Sequence, residues 1–202
     1  MPDHALPAPA ATDPERRTWL IATGAAGGAA AVATAVPFVK TFTPSERAKA
    51  MGAAVEVDIA DLPPGGLRTV EWRGKPVWVM RRTPEMLHTL QRQTMQLADP
   101  ESARDNLPQA LRNPGRSIKP EVLVAVGICT HLGCSPTAVG AGSGNPSVGD
   151  DWQGGFFCPC HGSTFDLAGR VFKNKPAPTN LEIPPHRYLS DTRLLIGDAD
   201  PA

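Results

Sequence analysis

The sequence predicts a mainly β protein: an antiparallel head preceded by one transmembrane helix. Three observations predict it. Pro (22) and Gly (19) are frequent and punctuate short alternating runs, which favours strands and turns over a helical bundle. No charged residue lies between Trp19 and Val39, and these 21 residues would span roughly 30 Å as a helix, about one hydrocarbon core. All four cysteines and two of the five histidines fall in two short boxes, Cys129-Thr130-His131-Leu132-Gly133-Cys134 and Cys158-Pro159-Cys160-His161-Gly162-Ser163.

The totals narrow the classes. A chain of 202 residues has enough length for a real core and for one or two domains. Its 20 basic and 20 acidic residues balance. No polybasic run is present, so nothing points to nucleic acid. Aromatics are only 5% of the chain, which argues against a large carbohydrate-binding or base-stacking surface.

Four segments follow in order. Residues 1–18 read as an N-terminal tail, Pro/Ala-rich and without periodicity as far as Glu15. Residues 19–39 read as the anchor. Pro37 near the end of the run suits a stop. A buried soluble helix would hardly lack every charge. A cleaved signal peptide is the other competing reading, since Ala31-Val32-Ala33 and Ala33-Thr34-Ala35 have the small-x-small form. The run exceeds an ordinary signal core, which favours an uncleaved anchor. Arg16-Arg17 looks like a twin-arginine export signal. Basic residues flank both ends, so they do not fix orientation. Residues 40–54 read as a tether, either flexible or a helix extension.

Residues 55–202 read as the head. Val55 to Ile59 alternates as a strand does. Pro63-Pro64-Gly65-Gly66 is a turn. Leu67 to Trp72 and Pro76 to Arg81 flank Arg73-Gly74-Lys75 as a hairpin. Thr83-Pro84-Glu85 has the form of an N-cap, and a helix to about Leu97 follows, with Leu87, Leu90 and Leu97 inward. His88 on this helix reads as an ordinary histidine, not a ligand. Residues 100–119 read as loop with one short helix. Glu121 to Val126 is an apolar strand that delivers the first box. Ser135 to Gly155 reads as a loop insertion, and Gly155 to Phe157 as the strand that delivers the second box. Thr164 to Phe172, Leu181 to Ile183, Arg187 to Leu189 and Leu194 to Gly197 read as further short strands and turns.

Cys129, His131, Cys158 and His161 together form a set of two sulfur and two nitrogen ligands. Such a set suits tetrahedral zinc, or a 2Fe–2S cluster with cysteines on one iron and histidines on the other. A common metal centre would bring the boxes together, and a Cys134–Cys160 disulfide could then staple them in an oxidising compartment. A four-cysteine site would leave the histidines unexplained, and the C-x-C pair matches thioredoxin-type motifs poorly. Gly133 and Gly162 allow positive φ and close backbone approach. Ser163 is placed to donate its hydroxyl to cluster sulfur, which would raise the reduction potential.

The two boxes together resemble those of the Rieske iron–sulfur proteins, and more specifically the Rieske subunits of bacterial cytochrome bc1 complexes. Pro176 to Leu181 with Pro184-Pro185 is similar to the family's proline loop, which shields the cluster. The resemblance implies a Rieske-type antiparallel β-sandwich whose cluster-binding part covers about 127–185. It implies one 2Fe–2S cluster, with Cys129 and Cys158 on the buried iron and His131 and His161 on the outer one. Cys134 and Cys160 would form the disulfide. Leu132, Gly133, Gly162, Ser163, Phe165 and Pro176 would surround the cluster, and His161 would meet ubiquinol. The electron would pass from ubiquinol to a c-type cytochrome, cytochrome c1, beside a cytochrome b subunit, in a dimeric complex that contributes to proton translocation. The head would stand in the periplasm on a single-pass anchor in the bacterial inner membrane, with Thr43 to Ala54 as a hinge.

Two departures stand out. Phe165 occupies the place where high-potential relatives carry a tyrosine that bonds a ligand cysteine, so a lower potential is expected. Lys175 replaces the glycine that often opens the proline loop. The Rieske small subunit of a periplasmic enzyme such as arsenite oxidase is the competing assignment, and a structural zinc protein is a third. The proline loop and the long anchor favour the first reading.

Overall fold

The computed structural model describes residues 13–46, 52–105 and 107–198. Most of the expected tail and the middle of the expected tether lie outside these residues. Two compact units divide the chain, residues 1–49 and 50–202.

In the first unit, helix α1 covers Pro14–Thr41. It starts five residues before the expected anchor because the capping signals lie upstream. The Asp13 side chain accepts from the Glu15 N–H, Pro14 opens the first turn and Glu15 is acidic there. Arg16 and Arg17 therefore sit inside the helix. Pro37 does not stop it, and the helix runs on to Thr41 with Lys40 in the last turn. The hydroxyls of Thr18, Thr23 and Thr34 donate back to the carbonyls of Pro14, Trp19 and Ala30 at 2.9, 2.8 and 2.9 Å. Polar groups are thus satisfied within the helix, as a lipid environment demands. The helix is long and apolar enough to cross a membrane.

The second unit holds nine strands among the described residues, in three antiparallel three-stranded sheets. The outer sheet orders β1 (Val55–Asp58), β9 (Arg193–Ile196) and β8 (His186–Tyr188). Val55 faces Ile196, so the head's first and last strands close on each other. The middle sheet orders β2 (Leu67–Trp72), β3 (Lys75–Arg81) and β4 (Val122–Val126). Its first hairpin turns at Arg73-Gly74, with φ of 53° and 70°, a two-residue turn that matches strand twist. The third sheet orders β5 (Thr137–Val139), β6 (Gly155–Phe157) and β7 (Thr164–Phe165).

Strand β4 is buried on both faces, which is why it reads Val-Leu-Val-Ala-Val without alternation. Val77, Val79, Val122, Val124 and Val126 pack with Val57, Leu194 and Ile196. On the other face Trp78, Met80, Leu123 and Ala125 pack with Leu90, Phe156, Phe165 and Leu181. Each large side chain buried this way contributes about 1.5–3 kcal/mol. Trp78 stacks on Phe156 with ring centroids 4.7 Å apart, joining the middle sheet to the strand that delivers the second box.

Helix α2 covers Pro84–Arg92, and a 3-10 turn at Thr94–Gln96 completes the run expected to reach Leu97. Leu90 and Leu97 are buried, Leu87 is half-buried and His88 is exposed. A 3-10 turn at Gln109–Leu111 is the short helix expected between 100 and 119. Two expectations need correction. The insertion 135–155 is not all loop, since β5 lies in it and pairs with β6. Leu181 to Ile183 is not a strand. Leu181 N–H donates to the Gly169 carbonyl and the Glu182 carbonyl accepts from Val126 N–H, so this run follows other backbone without forming a ladder.

Candidate metal centre

Both boxes fold into the same turn. In the first, Cys129 N–H donates to the Cys134 carbonyl at 2.7 Å and Gly133 N–H to the Cys129 carbonyl at 3.0 Å. In the second, Cys158 N–H donates to the Ser163 carbonyl at 2.8 Å and Gly162 N–H to the Cys158 carbonyl at 3.0 Å. Gly133 and Gly162 have φ of +83° and +76°, which an L side chain adopts only with strain.

The turns bring the expected residues together. Cys129 and Cys158 are both free and buried. Their thiols are hydrogen-bond neighbours, and backbone groups of Cys160 and His161 bond the Cys158 sulfur. Burial pushes the Cys158 thiol up. The rings of His131 and His161 meet edge to face with centroids 4.8 Å apart. His161 is exposed and His131 half-buried. Leu132, next to His131 in the first box, is 71% exposed.

Cys134 and Cys160 are joined in a disulfide with Cα atoms 6.7 Å apart. The sulfurs of Cys134, Cys158 and Cys160 lie within 4.8 Å of one another, but the two bonded sulfurs have no thiolate to offer a metal. The available soft ligands are therefore Cys129 and Cys158, beside two imidazoles. That donor set fits a 2Fe–2S cluster with mixed ligation and also fits zinc.

A third segment closes on the boxes. Thr130 Oγ1 donates to the Thr179 carbonyl at 2.7 Å. Ser163 Oγ, fully buried, accepts from Ala177 N–H at 3.0 Å and keeps its own hydrogen to donate elsewhere. Pro176 is exposed beside Ala177. Phe165 is fully buried in the same apolar cluster as Cys129 and Cys158.

Sequence reasoning missed the support beneath the second box. Asp166 accepts from the N–H groups of Ala168 and Arg170 at 2.9 and 2.8 Å, and pairs with the Arg170 guanidinium at 2.8 Å, both side chains buried. Arg170 also donates to the Leu90 carbonyl at 2.8 Å. Arg116 donates to the carbonyls of Ala168 and Leu181 and pairs with Asp105. Arg82 donates to the Leu167 carbonyl, and burial pushes its pKa down to about 10. Asn180 accepts from Val171 N–H and donates to the Asp99 carbonyl and Ser102. The run Asp166-Leu-Ala-Gly-Arg170 carries the turn signal for the first of these contacts; nothing local signals the others.

A model of the Rieske [2Fe-2S] domain matches residues 53–185. The chain is similar to the ubiquinol-cytochrome c reductase iron-sulfur subunit of Allochromatium vinosum, 57% identical over 183 residues, 91% of this chain and 88% of that protein. It is 43% identical over 183 residues to the subunit of the same description from Rhodospirillum rubrum, 90% of this chain and 91% of that one. A solved chain described as Hyperthermophilic respiratory Complex III is 27% identical, covered at 97% against 86% of this chain, with a TM-score of 0.46.

Proposed function

The chain belongs to the Rieske iron–sulfur subunits of ubiquinol-cytochrome c reductase, and from that membership we propose that it carries one electron from ubiquinol at the quinol-oxidation site to a c-type cytochrome, cytochrome c1. The single observation that supports this most is the sorting of the four cysteines. Cys129 and Cys158 are free, buried thiols and the His131 and His161 rings meet, while the other two cysteines are withdrawn into a disulfide.

In this reading Cys129, Cys158, His131 and His161 would hold one Rieske 2Fe–2S cluster, the two cysteines on one iron and the two histidines on the other. The bound cluster would supply a one-electron acceptor. The exposed edge of His161 accepts the hydrogen bond of the quinol hydroxyl. Leu132 offers an apolar contact for docking against the cytochrome b subunit. Ser163 would donate its free hydroxyl hydrogen to cluster sulfur, and Gly133 and Gly162 would let the backbone come close. Pro176 and its loop exclude water. Helix α1 anchors the subunit in the bacterial inner membrane as a single pass, with the head in the periplasm, and Thr43 to Ala54 is the hinge on which the head moves. The complex is a dimer that contributes to proton translocation.

A redox-poised EPR titration of native membranes, with and without a quinol-site inhibitor, tests the reading. The expected result is a cluster signal with the g-average of histidine ligation that shifts with inhibitor. A silent reduced protein that contains zinc would overturn it.

A further inference from the structure

Arg82 follows strand β3 and is 2% exposed. All its side-chain hydrogen bonds go to neutral acceptors. Nη1 donates to the carbonyls of Gly115 and Leu167 at 2.9 and 3.1 Å, and Nη2 donates to Ser117 Oγ and the Pro120 carbonyl, both at 2.6 Å. Among the described residues no carboxylate forms an ion pair with it, whereas the other two buried arginines are paired, Arg116 with Asp105 and Arg170 with Asp166.

That difference matters at a distance. A charge beside its counterion acts on its surroundings as a short dipole, while an unpaired charge in a weakly polar interior keeps its full reach. Asp166 attracts the Arg82 charge and Arg170 repels it, so this pair works against itself. Glu121 also attracts it but is exposed, where water screens its charge. Asp99 is a further buried carboxylate; it accepts from the N–H groups of Ala103 and Arg104 and does not act on Arg82. Burial lowers the Arg82 pKa only to about 10, so the guanidinium is charged at neutral pH.

The charge lies under the second box. Leu167, whose carbonyl takes the Arg82 proton, packs in one apolar cluster with Cys129, Cys158 and Phe165. It is four residues beyond Ser163, a chain distance of at most about 14 Å. Ser163 in turn accepts from Cys158 N–H at 2.8 Å.

We propose, resting on the ligand assignment of Cys129, Cys158, His131 and His161, that the unpaired guanidinium of Arg82 raises the reduction potential of the bound cluster through its field. Reduction adds one negative charge to the centre, and a fixed buried cation favours that state. Arg82 touches no ligand; it acts by charge alone. A unit charge about 15 Å away at an effective dielectric of about 20 shifts a one-electron equilibrium by about sixfold.

An EPR-monitored redox titration of the cluster in native membranes tests this in four variants. Arg82→Gln should lower the midpoint by the equivalent of about sixfold in the reduction equilibrium, and Arg82→Lys should hold it. Ser117→Asp places a carboxylate where Nη2 already donates, so it keeps the tether and cancels the charge. Its midpoint should fall like that of Arg82→Gln, while Ser117→Asn stays with the wild type. The falls should persist in about 1 M salt, because a buried charge is little screened. Unchanged g-values show that the cluster keeps its ligands in each variant. Where Arg82→Gln does not assemble the cluster, the Ser117 pair decides alone. The proposal is overturned by equal midpoints in Ser117→Asp and Ser117→Asn, by an Arg82→Lys midpoint as low as that of Arg82→Gln, or by falls that vanish in salt. A wild-type protein without a cluster signal overturns the ligand assignment as well, whereas an intact signal with unmoved midpoints overturns the role of Arg82 alone.

Discussion

The two cysteine–histidine boxes share one backbone turn and differ in what holds it. The first hangs from the end of β4, and its side-chain ties are the Thr130 bond to the Thr179 carbonyl and the Ser135 bond to the Gly127 carbonyl. The second is set between β6 and β7 and rests on a buried ionic network centred on Asp166 and Arg170. It is this second, better braced turn that carries the exposed imidazole of His161. The difference teaches that identical local geometry is specified twice by sequence, through a glycine at positive φ, while rigidity is supplied asymmetrically by tertiary contacts. The imidazole expected to meet a partner stands on the stiffer support.

The comparison breaks most severely at that support. Asp166→Ala leaves the Arg170 guanidinium buried without its carboxylate, and losing one partner of a buried pair costs about 3–5 kcal/mol. Chemical denaturation should show a loss of this size, with the second box released before the first in hydrogen exchange. Equal loosening of both boxes would mean that the network stabilises the head at large. The next largest effect is at the staple. Cys134→Ser with Cys160→Ser opens a link spanning 26 residues of sequence and removes about 2–5 kcal/mol. The expected outcome is a lower Tm and a cluster EPR signal that decays on storage; full retention of both would show that the cluster ligands alone hold the boxes together.

These contacts mark the limit of what was legible in the sequence. The boxes, the apolar spans and the hairpin at Arg73-Gly74 were readable because each rests on local chemistry: ligand type, missing charge, turn residues. Strand β5 was hidden by its surroundings, since a three-residue strand flanked by Gly, Ser and Pro has no periodicity to read. Leu181 to Ile183 was misread as a strand because apolar burial and strand pairing look alike in a short run. The buried arginines were invisible for a different reason. Arg82, Arg116 and Arg170 reach carbonyls between 52 and 85 residues away as well as near ones, and an arginine in a sequence reads first as surface. Helix α1 overran its expected start because capping, not hydropathy, sets a helix end.

A smaller effect sharpens the likeness between the boxes. Gly133 and Gly162 have matching φ, and a Cβ added at either meets nothing within 4 Å. The cost of Gly133→Ala and Gly162→Ala is therefore backbone strain alone, about 1–2 kcal/mol each. Thermal unfolding of the two variants should give equal losses. A much larger loss at Gly162 would show that the bracing under the second box has removed its capacity to relax.

The smallest effect in stability concerns electronics. Phe165 sits fully buried with Cys129 and Cys158 in one apolar cluster, and its ring has no proton to give. Phe165→Tyr adds a hydroxyl to that enclosed space, where it must find an acceptor or remain an unsatisfied buried group. A donor aimed at the sulfurs of Cys129 and Cys158, the proposed ligands, would stabilise the reduced, more negative state of a bound cluster more than the oxidised one. The midpoint potential of the variant should then rise, within the broad range of roughly −150 to +300 mV open to such centres. An EPR-monitored redox titration reads this directly. If the hydroxyl instead forces the packing apart, stability falls by about 1–3 kcal/mol and the potential stays where it was, which would sink the idea that this one ring sets it. Ser163→Ala supplies the opposing arm: it deletes a donor and the anchor of Ala177 together, so its potential should fall while that of Phe165→Tyr rises.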